Sequence, residues 1–429
     1  MVNSISQSLP TNLGGVVPAD FNVLSNEFFQ ELESHQEKMG VLVQEMVALE
    51  QLTDFLEGGD PQMLSIAIEK FELTGVISNE DINRAALQAW DRVKINIRRF
   101  QSDLFGYAKV IQSGADRLVE RLEMLMKMAE KANSKPFKEE ITLKKTAKFS
   151  INGGFQPKDI RPVLEDTNNI YDFYDKVLLN YMKQIDKLLQ TVELNQTWTD
   201  ESIMRFELFT AGKWMKNFKP LETPDDRFRA SAYVVRGITA QGEKALYYSG
   251  PPDTKTENVK DWSYFINTIR TMRFRYIKVP NQTPINESDD KVKVEGATTI
   301  RQRLGYLLGV TKRIAARKGY DQKISAELRK IERSADKLRN VARQMRTQVD
   351  RRHSEEEKDE GRPNVSETVK DLTMIMTSTM RMVNEFNNAI AGQLRLVGAL
   401  GFVADLELKA YEAPIDKPTE DVNDKLDQN

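Results

Sequence analysis

The chain has 429 residues, 29% of them charged, with a formal net charge of −2. That length buries a large core in two or more lobes, and the near-neutral balance leaves any polyanion binding to local patches. With no Cys, and with His35 and His353 as the only histidines, the composition excludes disulfides and thiolate chemistry and argues against His-based triads and metal sites.

Residues 1–20 are polar and rich in Ser, Gly and Pro, and read as a flexible N-terminus. Met1–Val17 lacks the charged and apolar regions of a secretory signal. No window approaches the roughly 18 apolar residues of a membrane span, so none is expected. Residues 21–131 form an N-terminal helical region. A stripe runs through Leu24, Phe28, Leu32, Met39, Leu42, Met46, Leu49 and Phe55 to the Gly58–Gly59–Asp60–Pro61 break. Ser78 then caps a helix reaching about Lys131, with Trp90, Val93, Ile97, Leu104, Ile111, Leu118, Leu122 and Leu125 on one face. Gly106 and Gly114 are its candidate bends.

Residues 132–297 form a mixed α/β middle region. Ile141 and Leu143, then Phe149 and Ile151, alternate with polar residues, and Asn152–Gly153–Gly154 supplies a turn. Residues 157–195 return to helical spacing through Tyr171, Tyr174, Tyr181, Ile185 and Leu188. Ala232–Val235, Ala245–Tyr248 and Arg273–Val279 read as strands, and Pro280–Asp290 as a polar loop.

Residues 298–412 read as a long helical hairpin. Its first helix carries Leu304, Leu307, Ile314, Ile324, Leu328, Ile331 and Leu338, and a continuous version would approach ~75 Å, with Gly319 as its candidate interruption. Glu355–Glu357 and the Gly361–Arg362–Pro363 break form an acidic turn, and Ser366 caps the partner helix to about Tyr411. Residues 413–429 are an acidic, apolar-poor tail expected to be disordered. The fold class is mainly α: an elongated bundle of long helices with a small β-containing middle.

The sharpest local signal is charge. Residues 301–352 carry sixteen Lys or Arg against five Asp or Glu. Lys312, Arg313, Arg317, Lys318, Arg329, Lys330, Arg333, Arg343 and Arg346 avoid the apolar stripe and are the candidate polyanion contacts, with Lys323 and Lys337 on the same segment. The competing reading is a solvated face balanced by acidic neighbours. Aromatics are nearly absent here, which argues against stacking on single strands. Glu139–Glu140, Asp225–Asp226, Asp289–Asp290 and Glu355–Glu357 fall in expected loops without calcium-loop or helix–His spacing. No cofactor, metal or catalytic residue is assigned. Met374, Met376, Met380 and Met382 read as core, with a partner interface as the alternative.

Several short segments occur in a telling order: Ala48–Leu49–Glu50, Ala67–Ile68–Glu69, Ala89–Trp90, residues 147–154, Tyr247–Pro252 and Val292–Glu295. Over most of residues 40–350 this layout resembles the internal head proteins of large contractile-tailed bacteriophages. The resemblance implies a virion protein inside the capsid, resident in the host cytoplasm during assembly. Its implied partners are the prohead core, other virion proteins and the prohead protease. It also implies cleavage after Glu50 and Glu69, so that a propeptide would end at residue 50 or 69. The propeptide here is less acidic than the family pattern.

The expected function is that of a non-enzymatic structural protein packaged with the genome, touching duplex DNA through the basic helix and able to self-associate. Two rivals are a helical pore-forming toxin component and an enzyme built from distant carboxylates.

Overall fold

The computed structural model describes residues 26–58, 79–132, 135–145, 149–151, 154–191, 219–220, 234–237, 244–250, 266, 269–270, 273–278, 288–350 and 365–412. Five long helices make the frame: α1 (Asn26–Gly58), α2 (Asn79–Lys131), α5 (Ala297–Ala315), α6 (Tyr320–Asp350) and α7 (Val365–Lys409). Between α2 and α5 lie the short strands β1 (Glu140–Lys144), β2 (Ser150–Ile151) and β3 (Gly154–Phe155). Next come α3 (Arg161–Asp172), a π-helical turn over Phe173–Leu178, and α4 (Leu179–Thr191). Strands β4 (Lys219–Pro220), β5 (Val234–Gly237), β6 (Lys244–Gly250), β7 (Arg273–Lys278) and β8 (Asp289–Lys293) follow. The protein is mainly helical with a small β component, as the periodicities require.

The apolar stripes account for the core. Leu32, Met39, Met46, Leu49, Trp90, Val93, Ile97, Leu104, Leu118, Leu122 and Leu125 are all buried. In α7 every described side chain except Glu367 is buried or half-buried, and the four methionines at 374, 376, 380 and 382 belong to the core. A helix buried on most of its circumference needs a broad apolar face, and the half-open side of α7 carries Arg381, Glu385, Asn388 and Arg395. Its polar side chains are satisfied locally, with Thr373, Thr377 and Thr379 donating to carbonyls four residues back. For this reason Ser366–Lys409 is long and apolar enough to cross a membrane by length and composition. No such segment is expected from the sequence, because Arg395 and Asp405 break its most apolar stretch, Leu394–Leu406, and Gly398 and Gly401 lie within it.

Helix α2 runs unbroken through Gly106 and Gly114. These glycines receive α1. A Cβ at Gly114 would overlap the Phe28 ring, and one at Gly106 would overlap the His35 ring. The two rings are one heptad apart on α1, and the chain directions are opposed. Helix α1 thus seats on α2 at a separation that only a missing side chain permits.

Strands β5, β6 and β7 form an antiparallel sheet with β4 at its edge, close to the expected strand positions. The sheet meets α7 through Tyr276 of β7. The Tyr276 hydroxyl occupies the space over Gly392, and its backbone N–H donates to Glu385 at 2.8 Å. Burial pushes the Glu385 carboxyl above the usual range, against the opposing pull of that N–H, Arg275, Arg381 and Asn388.

The segment expected as a polar loop before residue 291 ends in β8, which pairs antiparallel with β1 from Glu140↔Lys293 to Lys144↔Asp289. Glu140, Asp289 and Asp290, expected in loops, are therefore ladder residues. This ladder lies across the C-terminal end of α7, where Leu143, Phe149 and Val403 form a small second core. An ionic clasp sits beside it. Fully buried Glu407 accepts from Arg303, from Lys158 and from the Glu295 backbone N–H at 3.1 Å. Arg303 also reaches Glu295 at 2.9 Å. Buried Asp405 pairs with Arg121 at 3.2 Å and Lys409 at 2.9 Å. The clasp ties α2, α5, α7 and the ends of the middle region into one unit.

Three outcomes follow from this packing. Gly114→Ala is expected to destabilise the fold by about 1–3 kcal/mol through overpacking against Phe28. That outweighs the roughly 1 kcal/mol that Ala gains over Gly in a helix, and it is read as a lowered Tm. Glu407→Ala leaves Arg303 and Lys158 facing each other with their shared carboxylate gone. A loss of about 3–5 kcal/mol is expected in denaturant unfolding. Glu385 titrates higher in the folded than in the unfolded chain, so its charge penalises the fold at neutral pH, and that penalty fades as pH falls toward the ordinary Glu value of 4.5. Glu385→Gln is therefore expected to be more stable than the parent at pH 7, with the difference closing on acidification. A gap that widens toward low pH would contradict this.

Candidate nucleic-acid interface

The sixteen basic residues of 301–352 do not share one fate. The helix expected across the segment breaks at 316–319, where Gly319 adopts φ 79°. Gly supplies a left-handed turn without steric cost, so α5 can end there and α6 begin at Tyr320. The break is held from outside by the π-helical turn. Asp175 on that turn pairs with Arg317 at 2.7 Å, and the guanidinium lies 4.1 Å above the Tyr171 ring. Tyr174 donates to the Tyr320 carbonyl at 3.0 Å and stacks on Phe386 at 4.9 Å.

On α5 the basic residues are engaged internally. Lys312 pairs with Glu123 of α2 at 2.7 Å and holds that carboxyl below the usual range. Arg301 pairs with Glu130 at 2.8 Å. Arg303 belongs to the clasp. Arg313 sits 5.8 Å over Tyr171. The first two contacts staple α5 along α2, and Arg301, Lys312 and Arg303 each have a carboxylate partner that offsets their charge.

Helix α6 behaves differently. Its acids point inward and sideways. Asp336 accepts from the Trp90 indole N–H at 2.8 Å and pairs with Lys94 at 3.7 Å and Arg339 at 3.5 Å. Glu332 lies 4.0 Å from Arg98, and burial, the main influence on it, raises its carboxyl above the usual range. Glu327 pairs with Lys330 at 2.9 Å, which pushes the Lys330 ammonium up. On the other flank Ser334 donates to Asp186 of α4 at 2.6 Å.

Lys323, Arg329, Arg333 and Lys337 remain on the outer side, all exposed, and none is within an ion-pair distance of an acid among the described residues. Lys318 is exposed in the connector, and Arg343 is exposed further along α6. Arg346 belongs to α6 by its backbone, and its side chain lies outside the described residues.

The structure thus brings Arg329, Lys330 and Arg333 together on one face with Lys323 and Lys337. It separates them from Lys312, Arg313 and Arg317. Sequence spacing shows the α6 group through its apolar stripe. It does not show that Glu123 and Asp175 reach α5 and the connector, because both acids come from distant segments. Of the expected cleavage points, Glu50 lies in α1 between buried Leu49 and Leu52, and its carbonyl accepts from the Thr53 hydroxyl at 2.8 Å. Glu69, Asp225–Asp226 and the acidic turn at 355–357 lie outside the described residues.

A family model of phiKZ-like phage internal head proteins matches residues 20–405. No curated protein and no solved structure matches the chain. The match runs from just before α1 almost to the end of α7 and covers the whole helical frame. By that match, the chain belongs to the phiKZ-like phage internal head proteins and is a structural component of the virion, inside the capsid.

Proposed function

We propose that this internal head protein is packaged with the genome and works without catalysis, by shape and surface charge. The observation that carries this reading is a rigid helical frame that turns a row of cations outward on α6. Two further features support it. The fully buried acids Asp405 and Glu407 are held in ion pairs with Arg and Lys. Family membership also favours a virion component over a toxin. Its partners are other virion proteins, the prohead core and further copies of itself, with packaged DNA as the polyanion.

Processing after Glu50 and Glu69 by the prohead protease belongs to the same proposal. The Glu50–Gln51 bond is inside a packed helix, so cutting there requires α1 to unwind locally. Phe28, Leu32, Met39 and Met46 hold the N-terminal part of α1 against the frame without help from the covalent link.

Purified virions, opened gently and separated into shell and nucleoprotein fractions, test the packaging. The chain is expected with the nucleoprotein, and recovery with the empty shell alone would refute it. Mass spectrometry of the same particles is expected to show a chain beginning at Gln51 or Lys70. A chain that starts only at Met1 would refute the processing.

A further inference from the structure

We infer that the outward arc of α6, formed by Lys323, Arg329, Lys330, Arg333 and Lys337, is a docking surface for duplex DNA, and that α5 is not part of it. This rests on the reading of the chain as a component packed beside the genome, and it names the surface.

At 100° per residue the five positions fall within about 120° of the helix circumference, and at 1.5 Å per residue they span about 21 Å. The other residues on that arc are Gln322, Ala326, Asn340, Val341 and Gln344, so it contains neither Asp nor Glu. The acids of α6 are turned to the flanks, where Trp90, Lys94, Arg98 and Arg339 engage Asp336 and Glu332. Only Lys330 shares its charge, with Glu327.

Neighbouring elements carry both signs, with exposed Asp91 of α2 beside Lys94 and Arg339. Arg98 on α2 is exposed beside Glu332. On α4, exposed Lys183 and Lys187 bracket Asp186. A straight row of about one cation per 5 Å suits a polyanion whose phosphates are regularly spaced along a rigid axis.

The absence of aromatic residues from the arc removes the stacking that single strands use, which selects the duplex. Cations dominate the arc, so phosphate contacts carry the binding, and it is expected to be indifferent to sequence.

The test uses the full chain and a 20-base-pair duplex, with affinity measured across a salt series. Four to five phosphate contacts give a slope of log K against log salt of about −3.6 to −4.5. The triple variant Arg329→Gln/Arg333→Gln/Lys337→Gln is expected to lower that slope's magnitude by about 2.7, and Arg333→Gln alone by about 1. The single variant keeps the test valid if the triple one does not fold. The control Arg99→Gln/Lys109→Gln, on the exposed face of α2, is expected to leave the slope unchanged.

An unchanged slope in both α6 variants, or an equal fall in the control, overturns the assignment. So does tighter binding to polyglutamate than to the duplex, which would mark the arc as a surface for an acidic protein. Single-stranded DNA of the same length is expected to bind more weakly, and tighter binding would overturn the choice of duplex. Each of these failures would leave the packaging result from opened virions standing, so the two readings fail separately.

Discussion

The burial of α7 around most of its circumference is the constraint from which the rest of the architecture follows. Only one side, along Arg381, Asn388 and Arg395, is half-open, so the helix cannot be placed by docking against one partner and needs several neighbours. Helices α1, α2, α5 and α6, the α3–π–α4 segment and strand β7 supply them. Apolar burial of this extent dominates the folding energy at roughly 25 cal/mol per Å², and it also sets a polar problem. Hydroxyls on α7 solve it by returning to their own backbone, Glu385 takes an N–H from the sheet, and Asp405 and Glu407 draw in basic residues from three other segments.

That last solution explains why the charge of the C-terminal half is divided. Arg303, Lys312 and Arg317 are structural cations whose counter-charges come from α7, α2 and the π-helical turn. The positive charge displayed outside is what remains after these internal demands are met. The positive φ at Gly319 separates the two helices, and both still follow α2: α5 through Arg301–Glu130 and Lys312–Glu123, α6 through Glu332–Arg98 and Asp336–Trp90.

Much of this was legible in the residues. The three- and four-residue spacing of Leu32, Met39 and Met46, and of Trp90, Val93 and Ile97, marked the helices and the side they bury. Alternation marked β5, β6 and β7. Gly319 marked the break. What local reading missed has a common cause, which is partners far apart in sequence. Strand β8 is too polar to announce itself and exists because β1 offers it a ladder. Gly106 and Gly114 read as weak points within their own helix, and only Phe28 and His35 reveal them as seats. The π-helical turn has no local signature, and its Asp175 acquires a role only beside Arg317. The charge run was visible, but the split between inward and outward cations depends on Glu123, Asp175 and Trp90, which composition cannot place.

The β1–β8 ladder has one more consequence. It brings the chain out beyond α2 and back to α5 at adjacent points, so the segment between them is a closed loop. The free energy of closing such a loop rises only slowly with its length, by about 0.6 kcal/mol per doubling. Closure therefore contributes little to placing what lies inside it: Tyr174, Leu178, Ile185 and Tyr276 are held by their own packing on the helical core.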